Sequence, residues 1–464
     1  MFTDLKPYES YRGSGTPWLP AVPGHWRSPR IKTVLAEKNV RGFPEEPLLA
    51  ATQSRGVIQK DDYGSKTVTA QKDLDLLKLV EVGDFVISLR SFQGGIERAY
   101  ARGIISPAYT ILEAREPADA DYLTLLFKSR PFVGALTLNV TGIREGQNIE
   151  YPRLARDSLP LPPHDEQAAI VKYLAHAHAR IDRAITAKRK LIALLEEQKQ
   201  AIINQAVTRG LNPGTTAKST GMPWMASVPS NWEVVPLKRY WTVRDCKHVT
   251  VPFAGEGYAL ASVVQAQRFW LDLSDAKRTS REFFEVLAEG GRKPRRGDLI
   301  YCRNVAPGMA AIVRDDVDFA MGQDVCLLRS VTQSPEFLNY FLRSAAMRRQ
   351  VDLLAIGSTF TRVNVEDLRA LTIAVPPRAE QDAIVEHLHE ALRSQDSTIS
   401  RAREEIALLR EFRTRLTSDV VTGQVDVRIV AANLPELDQE TVFDAEGADE
   451  DLLDGIELLA DVDA

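Results

Sequence analysis

Two His-x-His pairs, His176/His178 and His387/His389, and three cysteines, Cys246, Cys302 and Cys326, are the side chains of this sequence best suited to bind a metal or act as nucleophiles. Their spacing argues against both roles. The histidine pairs fall in segments of helical periodicity, where positions i and i+2 point to different faces. No two cysteines stand in the C-x-x-C arrangement of a structural zinc site or a redox pair. The run "EEQK" at Glu196 imitates part of a nuclease signature, yet it lies in the middle of a long helical pattern and reads as helix surface. A GxxxxGK[ST] phosphate loop, a GxGxxG turn, an HExxH helix and a GxSxG elbow are all missing, as is an Asn- or Asp-Pro-Pro-aromatic run that would grip a target amine. Catalytic and metal-binding residues are therefore expected to number none, and the chain is expected to bind no cofactor of its own.

What the residue types do offer is recognition. Arginine pairs with guanine through two parallel hydrogen bonds, Gln and Asn do the same with adenine, and a neighbouring glycine lets the backbone come close. The stretch "SLRSFQGGIERAYARG" follows the strand-like run "DFVIS" and carries Arg90, Gln93, Arg98 and Arg102. At the equivalent place further on, "YCRNVAPG" carries Arg303 and Asn304. A second pair of loops consists of "GIREGQN", with Arg144, Gln147 and Asn148, and "GSTFTRVN", with Thr359, Thr361 and Arg362. Any one of these residues also suits a surface or capping role; as a set they favour double-stranded DNA as the partner.

The elements that must position these loops are written twice. At a constant offset of 214 residues, Pro162, Pro163, Glu166, Gln167, Ile170, Val171 and Leu174 meet Pro376, Pro377, Glu380, Gln381, Ile384, Val385 and Leu388. The register holds through "IALL" at Ile192 and Ile406. Upstream, "RGSGTPWLPAVPGHW" (Arg12 to Trp26) is echoed by "KSTGMPWMASVPSNW" (Lys218 to Trp232), "VGDFVIS" by "RGDLIYC", and "YLTLLFKS" by "FLNYFLRS". Such repetition in one register means a duplicated module of α/β (mixed α+β) class, each copy followed by a long helix. The placement of Trp18, Trp26, Trp224 and Trp232 beside prolines argues for packing at a domain edge rather than stacking on bases.

Between Asp165 and Thr208 there is neither Pro nor Gly, and Ile170, Leu174, Ile181, Ile192, Leu195 and Ile202 form one apolar stripe. The second copy supplies Ile384, Leu388, Ile406, Leu409 and Leu416. At about 1.5 Å per residue such helices reach on the order of 60 Å and need a partner along their length, most simply each other as an intramolecular coiled coil. The expected organisation is a first module over 1–164, a long central helix over 165–211, a second module over 212–378, a long C-terminal helix over 379–424 and an acidic tail over 425–464.

Charge is unevenly spread. Of the 63 acidic residues 12 fall within 429–464, which has no Lys or Arg, leaving 51 acidic against all 58 basic residues in the body. The tail reads as a disordered, solvating segment. No apolar run is long enough to span a membrane and no signal peptide opens the chain, so a cytoplasmic location is expected.

Taken together, the two "SG/TG-x-P-W…P-x-x-W" entrances (Ser14 to Trp26, Thr220 to Trp232), the "PLPP/AVPP-x-x-E-Q" junctions and the "IALL" helices resemble the specificity subunit of type I restriction-modification systems, over nearly all of residues 8–424. That resemblance implies that the modules 1–164 and 212–378 are target-recognition domains reading a bipartite DNA site, and that 165–211 and 379–424 are antiparallel spacer helices, related by pseudo-twofold symmetry, that set their separation. It also implies two methyltransferase subunits and motor-nuclease subunits as partners, which would carry S-adenosylmethionine, ATP and magnesium. A specificity chain that serves modification only, or another multisubunit restriction system, remains an alternative, as does a coiled-coil scaffold with no DNA role.

Overall fold

The structure, a computed structural model, describes residues 5–63, 73–115, 120–138, 140–141, 148–304, 306–355 and 362–436. It divides into two compact units, one built from 1–188 with 403–464 and the other from 189–402. Each unit thus takes part of both long helices.

Both helices begin and end where local chemistry dictates. The first spans His164–Arg209 and the second Arg378–Val421. Prolines close the chain just before each start, and Asp165 and Glu166, or Glu380, sit in the first turn, where the amide dipoles favour negative charge. The glutamine of each "EQ" motif folds back to cap the entrance: Gln167 Nε2 donates to the Pro162 carbonyl at 2.9 Å and Gln381 Nε2 to the Pro376 carbonyl at 2.8 Å. Each helix ends at a glycine in the left-handed region, Gly210 (φ +70) and Gly423 (φ +75).

The glutamate of the same motif explains the distant tryptophans. Trp26 Nε1 donates to Glu166 at 3.0 Å, and Trp232 Nε1 donates to Glu380 at 2.9 Å. Both indoles are fully buried. Upstream of each lies an antiparallel hairpin, Tyr11–Thr16 with Leu19–Pro23 and Ala217–Met222 with Met225–Pro229. In both, the hydroxyl of Ser14 or Thr220 donates across the turn, to the carbonyl of Leu19 or Met225, while Gly15 and Gly221 take positive φ. Within each unit the hairpin therefore presents a tryptophan to the first turn of a long helix. Trp18 completes the first edge by meeting Phe132 edge-on at 5.7 Å.

Behind the hairpin each unit builds a four-stranded antiparallel sheet with the same order. In the first unit the order is Leu35–Lys38, Thr110–Ala114, Phe85–Ile87, Glu97–Arg98; in the second it is Thr242–Asp245, Val325–Arg329, Leu299–Cys302, Ala310–Ile312. The inner strands Phe85–Ile87, Leu299–Cys302 and Val325–Arg329 are almost wholly buried because helices cover one side and further strands the other. Helices Ala120–Phe127 and Arg130–Leu138 in the first unit have counterparts in Pro335–Leu342 and Ala345–Ala355. The second unit adds a three-stranded sheet in which Tyr258–Ala261 runs parallel to Phe319–Met321.

Within the first unit the two long helices run antiparallel, since partners descend on one as they ascend on the other: His178 Nε2 with Thr417 Oγ1 at 2.8 Å, Asp182 with Arg413 at 3.0 Å, then Lys188 with Glu405. Ile170, Leu174 and Ile181 are buried there, with Leu416 and Val420 opposite in the same core. Within the second unit, Lys199 pairs with Asp396, and Ile203 shares a core with Ile384, Leu388 and Leu392. Ile406 is buried, whereas Ile192, Leu195, Ile202 and Leu409 are only half-buried. At the end of the first helix the neighbour Ile203 is the more deeply set side chain, because the recognition module as well as the second helix packs there.

The helix end at Gly423 gives a direct stability test. An added Cβ would approach Pro23 Cδ to 2.4 Å and the Trp26 ring to 2.9 Å, at a φ that L side chains avoid. Gly423→Ala is expected to lower stability by about 1–3 kcal/mol. Gly83→Ala, also at positive φ but with nothing within 4 Å, should cost less, as thermal unfolding of the two variants will show.

Candidate nucleic-acid interface

The loop after strand Phe85–Ile87 turns on a hydrogen bond from the Ser88 N–H to Ser91 Oγ (2.9 Å) into a single helical turn, Ser91–Gly94. Arg90 and Gln93 emerge from this turn exposed, and no ion pair restrains Arg90 among the described residues. The two later arginines are engaged. Arg98 is ion-paired with Asp121 and lies over the Tyr100 ring at 5.6 Å. Arg102 bridges Glu46 at 2.9 Å and Glu81 at 3.0 Å.

The equivalent loop of the second unit is arranged differently. Arg303 is only 5 % exposed, donates through Nε to the Val363 carbonyl at 3.1 Å and pairs through Nη1 with Asp245. Burial pushes the Asp245 carboxyl up, but the Arg303 guanidinium outweighs this and holds it below the ordinary carboxylate range. Arg303 therefore ties three segments of the unit together instead of projecting from it. Asn304 is half-buried beside it, and Arg362, half-exposed, pairs with Asp324 at 3.1 Å. Arg144, Gln147, Thr359 and Thr361 lie outside the described residues. Asn148 is placed only as backbone, in a short strand, Asn148–Ile149, paired with Val140–Thr141.

Asp245, Cys246 and His248 bring three potential ligand atoms within 4.8 Å of one another. Asp245 already holds the Arg303 cation, and its other oxygen accepts from His248 at 3.2 Å. The cluster is therefore an internal charge network, with the Cys246 thiol pushed up by burial.

A feature the sequence reading missed recurs in both units. A cleft of about 370 Å³ opens in the first unit between the long helices and helix pair 120–138, lined among others by Gln93, Lys128, Arg130, His178 and Arg413. In the second unit the corresponding cleft, about 750 Å³, is lined by Lys199, Trp270, Tyr340, Arg343, Arg348 and Arg393. Lys128 and Arg343 occupy matching places in "YLTLLFKS" and "FLNYFLRS", so the repeat carried this signal as a shared cation. The roles differ in detail. Arg343 is half-buried, donates to the carbonyls of Gln267, Arg268 and Ala310, and is pushed down to about 10 by loss of solvent around its guanidinium. Lys128 pairs with Glu97 and stays near the surface. Arg130, Arg348 and Arg393 are exposed, and no carboxylate pairs with any of them among the described residues.

His178, in the wall of the first cleft, is held down to about 4 by burial and, secondarily, by Arg413. Its folded-state value lies below its unfolded one, so the unfolded chain takes up the proton first and stability falls as pH drops from about 6.5 to about 4. The loss should total on the order of 3 kcal/mol. Urea unfolding across this window should show a shallower slope for His178→Gln than for the parent chain.

Residues 296–408 match the family model for the Type I restriction modification DNA specificity domain. Across 339 residues the chain is 23% identical to the Type I restriction enzyme MjaVIII specificity subunit of Methanocaldococcus jannaschii, covering 70% of this chain and 75% of that relative. It is 28% identical over 89 residues, 19% of each chain, to the Type I restriction enzyme EcoKI specificity subunit of Escherichia coli. A solved structure described as revealing complex assembly and conformational transition of the type I R-M system superposes with TM-score 0.61 at 17% identity, over 87% of this chain and 99% of the other. The resemblance carried by the sequence motifs thus extends to the domain match and to the mixed α+β fold with its two long helices. Among the described residues no helix is long and apolar enough to cross a membrane.

Proposed function

We infer that this chain is a specificity subunit of a type I restriction-modification system, the family its sequence and fold match, and that its two units each read one part of a bipartite double-stranded DNA site. The observation that carries this reading is the repetition of one reading scaffold. The same sheet order recurs in both units, and each sheet feeds a loop from its third strand at Ile87 or Cys302. A scaffold duplicated this closely while its loops differ in residue type suits two different targets read by one mechanism.

In this reading the long helices, related by pseudo-twofold symmetry, fix the distance between half-sites. A rigid link raises the effective concentration of the second half-site once the first is bound. Half-sites addressed from one face of B-DNA then lie about 34 Å apart, one helical turn. Two methyltransferase subunits and motor-nuclease subunits would assemble on this chain in the cytoplasm and bring S-adenosylmethionine, ATP and magnesium. The chain itself contributes recognition and no catalysis. The exposed Arg90 and Gln93 are the side chains best placed to reach base edges.

Arg90→Ala is expected to cost about 1–3 kcal/mol on the first half-site and to relax its sequence there, leaving the second half-site unchanged. Methylome sequencing of cells carrying the variant, compared with cells carrying the parent chain and with cells lacking it, reads this out. An unchanged motif in all three would remove the DNA-reading assignment, and uniform weakening on all sequences would assign Arg90 to phosphates.

A further inference from the structure

The residues after Glu436 are strongly acidic, and the cleft of the first unit has in its wall the exposed Arg130, with the exposed Arg90 close by in sequence to the wall residue Gln93; no carboxylate pairs with either arginine among the described residues. We propose that residues 437–464 dock in this cleft and compete there with DNA for Arg90, Arg130 and their neighbours.

Three observations converge on that occupant. The first is charge. The 28 residues from 437 to 464 contain 11 acidic and no basic side chains, while the body of the chain has an excess of basic ones. The cleft offers the exposed Arg130 beside about 370 Å³ of space, with Arg90 exposed three residues from the wall residue Gln93, while Lys128 and Arg413 in the same wall are held by Glu97 and Asp182. The second is the wall itself. Ser54 lines the cleft with a buried Oγ that has no hydrogen-bond partner among the described residues, so a donor or acceptor brought in by an occupant would satisfy it. The third is tethering. Val430 and Leu434 pack on the core of this unit, the Pro435 carbonyl accepts from His176 Nε2 at 2.9 Å, and Glu436 pairs with Lys172 at 2.7 Å. The acidic stretch thus starts from a fixed point on the same helix that supplies His178 to the cleft.

From that point 28 residues extend at most about 90 Å, enough to reach any part of the unit. A tether of this length holds its acids at roughly millimolar effective concentration, so contacts weak in trans are populated in cis. Carboxylates on Arg130 and Arg90 would occupy cations that DNA would otherwise engage. Random duplex, held by charge alone, would lose more affinity to such a competitor than a cognate site held also by base contacts. The consequence is sharper discrimination between specific and random DNA, at some cost in raw affinity. The docking half of this proposal stands on the first unit alone, while the competition half rests on the DNA-reading assignment above.

The test compares the full chain with one ending after Glu436, each assembled with its methyltransferase subunits. Hydrogen exchange in segments 88–95 and 128–133 should be several-fold faster in the shortened chain. Arg130→Glu in the full chain should reproduce that increase, with an unchanged circular-dichroism spectrum. Random duplex should bind the shortened chain about tenfold more tightly at low salt, a gap that closes as salt rises, and a synthetic 437–464 peptide should restore the weaker binding. Equal exchange in the two forms would overturn docking, whatever the DNA result. Faster exchange with equal affinity for duplex would overturn competition. If neither form bound any duplex, the DNA-reading assignment would fall and the competition with it, while the exchange result would still decide docking.

Discussion

Replacing Arg303 with alanine should lower folding stability by about 3–5 kcal/mol and weaken DNA binding alike on every sequence, instead of relaxing one half-site. Removing a buried partner leaves an uncompensated charge, and here the survivor is Asp245, whose other neighbours are the Cys326 thiol at 3.5 Å and His248. The same change releases the Val363 carbonyl, which Arg303 Nε supplies at 3.1 Å, and loosens the segment leading into helix Val365–Ala370. Arg303→Lys keeps the charge but not the two-pronged fork, so an intermediate loss is expected. Combining Arg303→Ala with Asp245→Asn should recover part of the loss, because the stranded carboxylate is gone. Urea unfolding of the four chains, beside methylation assays on cognate and half-altered sites, separates the outcomes. Parent-like stability with loss confined to the second half-site would put the Arg303 guanidinium on DNA instead.

Why Arg303 looked like a reader marks where sequence reasoning stops. It follows a strand, precedes a proline-glycine turn and matches the place of Arg90's loop, all local features. Its burial comes from Asp245 and Val363, 58 and 60 residues away. By contrast, the long helices were legible because their signals are local: prolines before, acids in the first turn, glycine after, and apolar residues at helical spacing between. The duplication was legible because it needs only comparison of the chain with itself. The link between "P-x-x-W" and "x-x-E-Q" was not, since Trp26 and Glu166 are 140 residues apart and only folding reveals the hydrogen bond that joins them. The clefts were missed for a related reason. Lys128 and Arg413 have no common sequence pattern, and a concave surface forms only once the helix pair and the long helices are set side by side.

The final expectation puts the duplication to use. A chain ending at residue 212 retains the first recognition module and the whole first helix but lacks Leu416, Val420 and Val421, which cover the core around Ile170 and Leu174. At the repeat offset of 214, a second copy presents Ile202, Ala206 and Val207 in their place. The polar contacts survive unevenly. Asp182, paired with Arg413 in the full chain, would meet Lys199 and keep an ion pair. Lys188 would meet Leu191 in place of Glu405, and His178 would meet Ile203 in place of Thr417. The apolar stripe and one of two ion pairs thus carry the association, and the surface is self-complementary, so a twofold dimer closes without leaving an open edge. Light scattering at micromolar concentration should report that dimer. Assembled with methyltransferase subunits, it should modify a palindromic site in which the first half-site appears twice, inverted, with a spacer close to that of the full chain. Leu191→Glu in the half-chain, which restores the carboxylate opposite Lys188, should tighten the dimer by about 0.2–1 kcal/mol, the scale of an exposed ion pair. A soluble monomer, or retention of an asymmetric motif by the half-chain complex, would contradict helix pairing as the basis of half-site spacing.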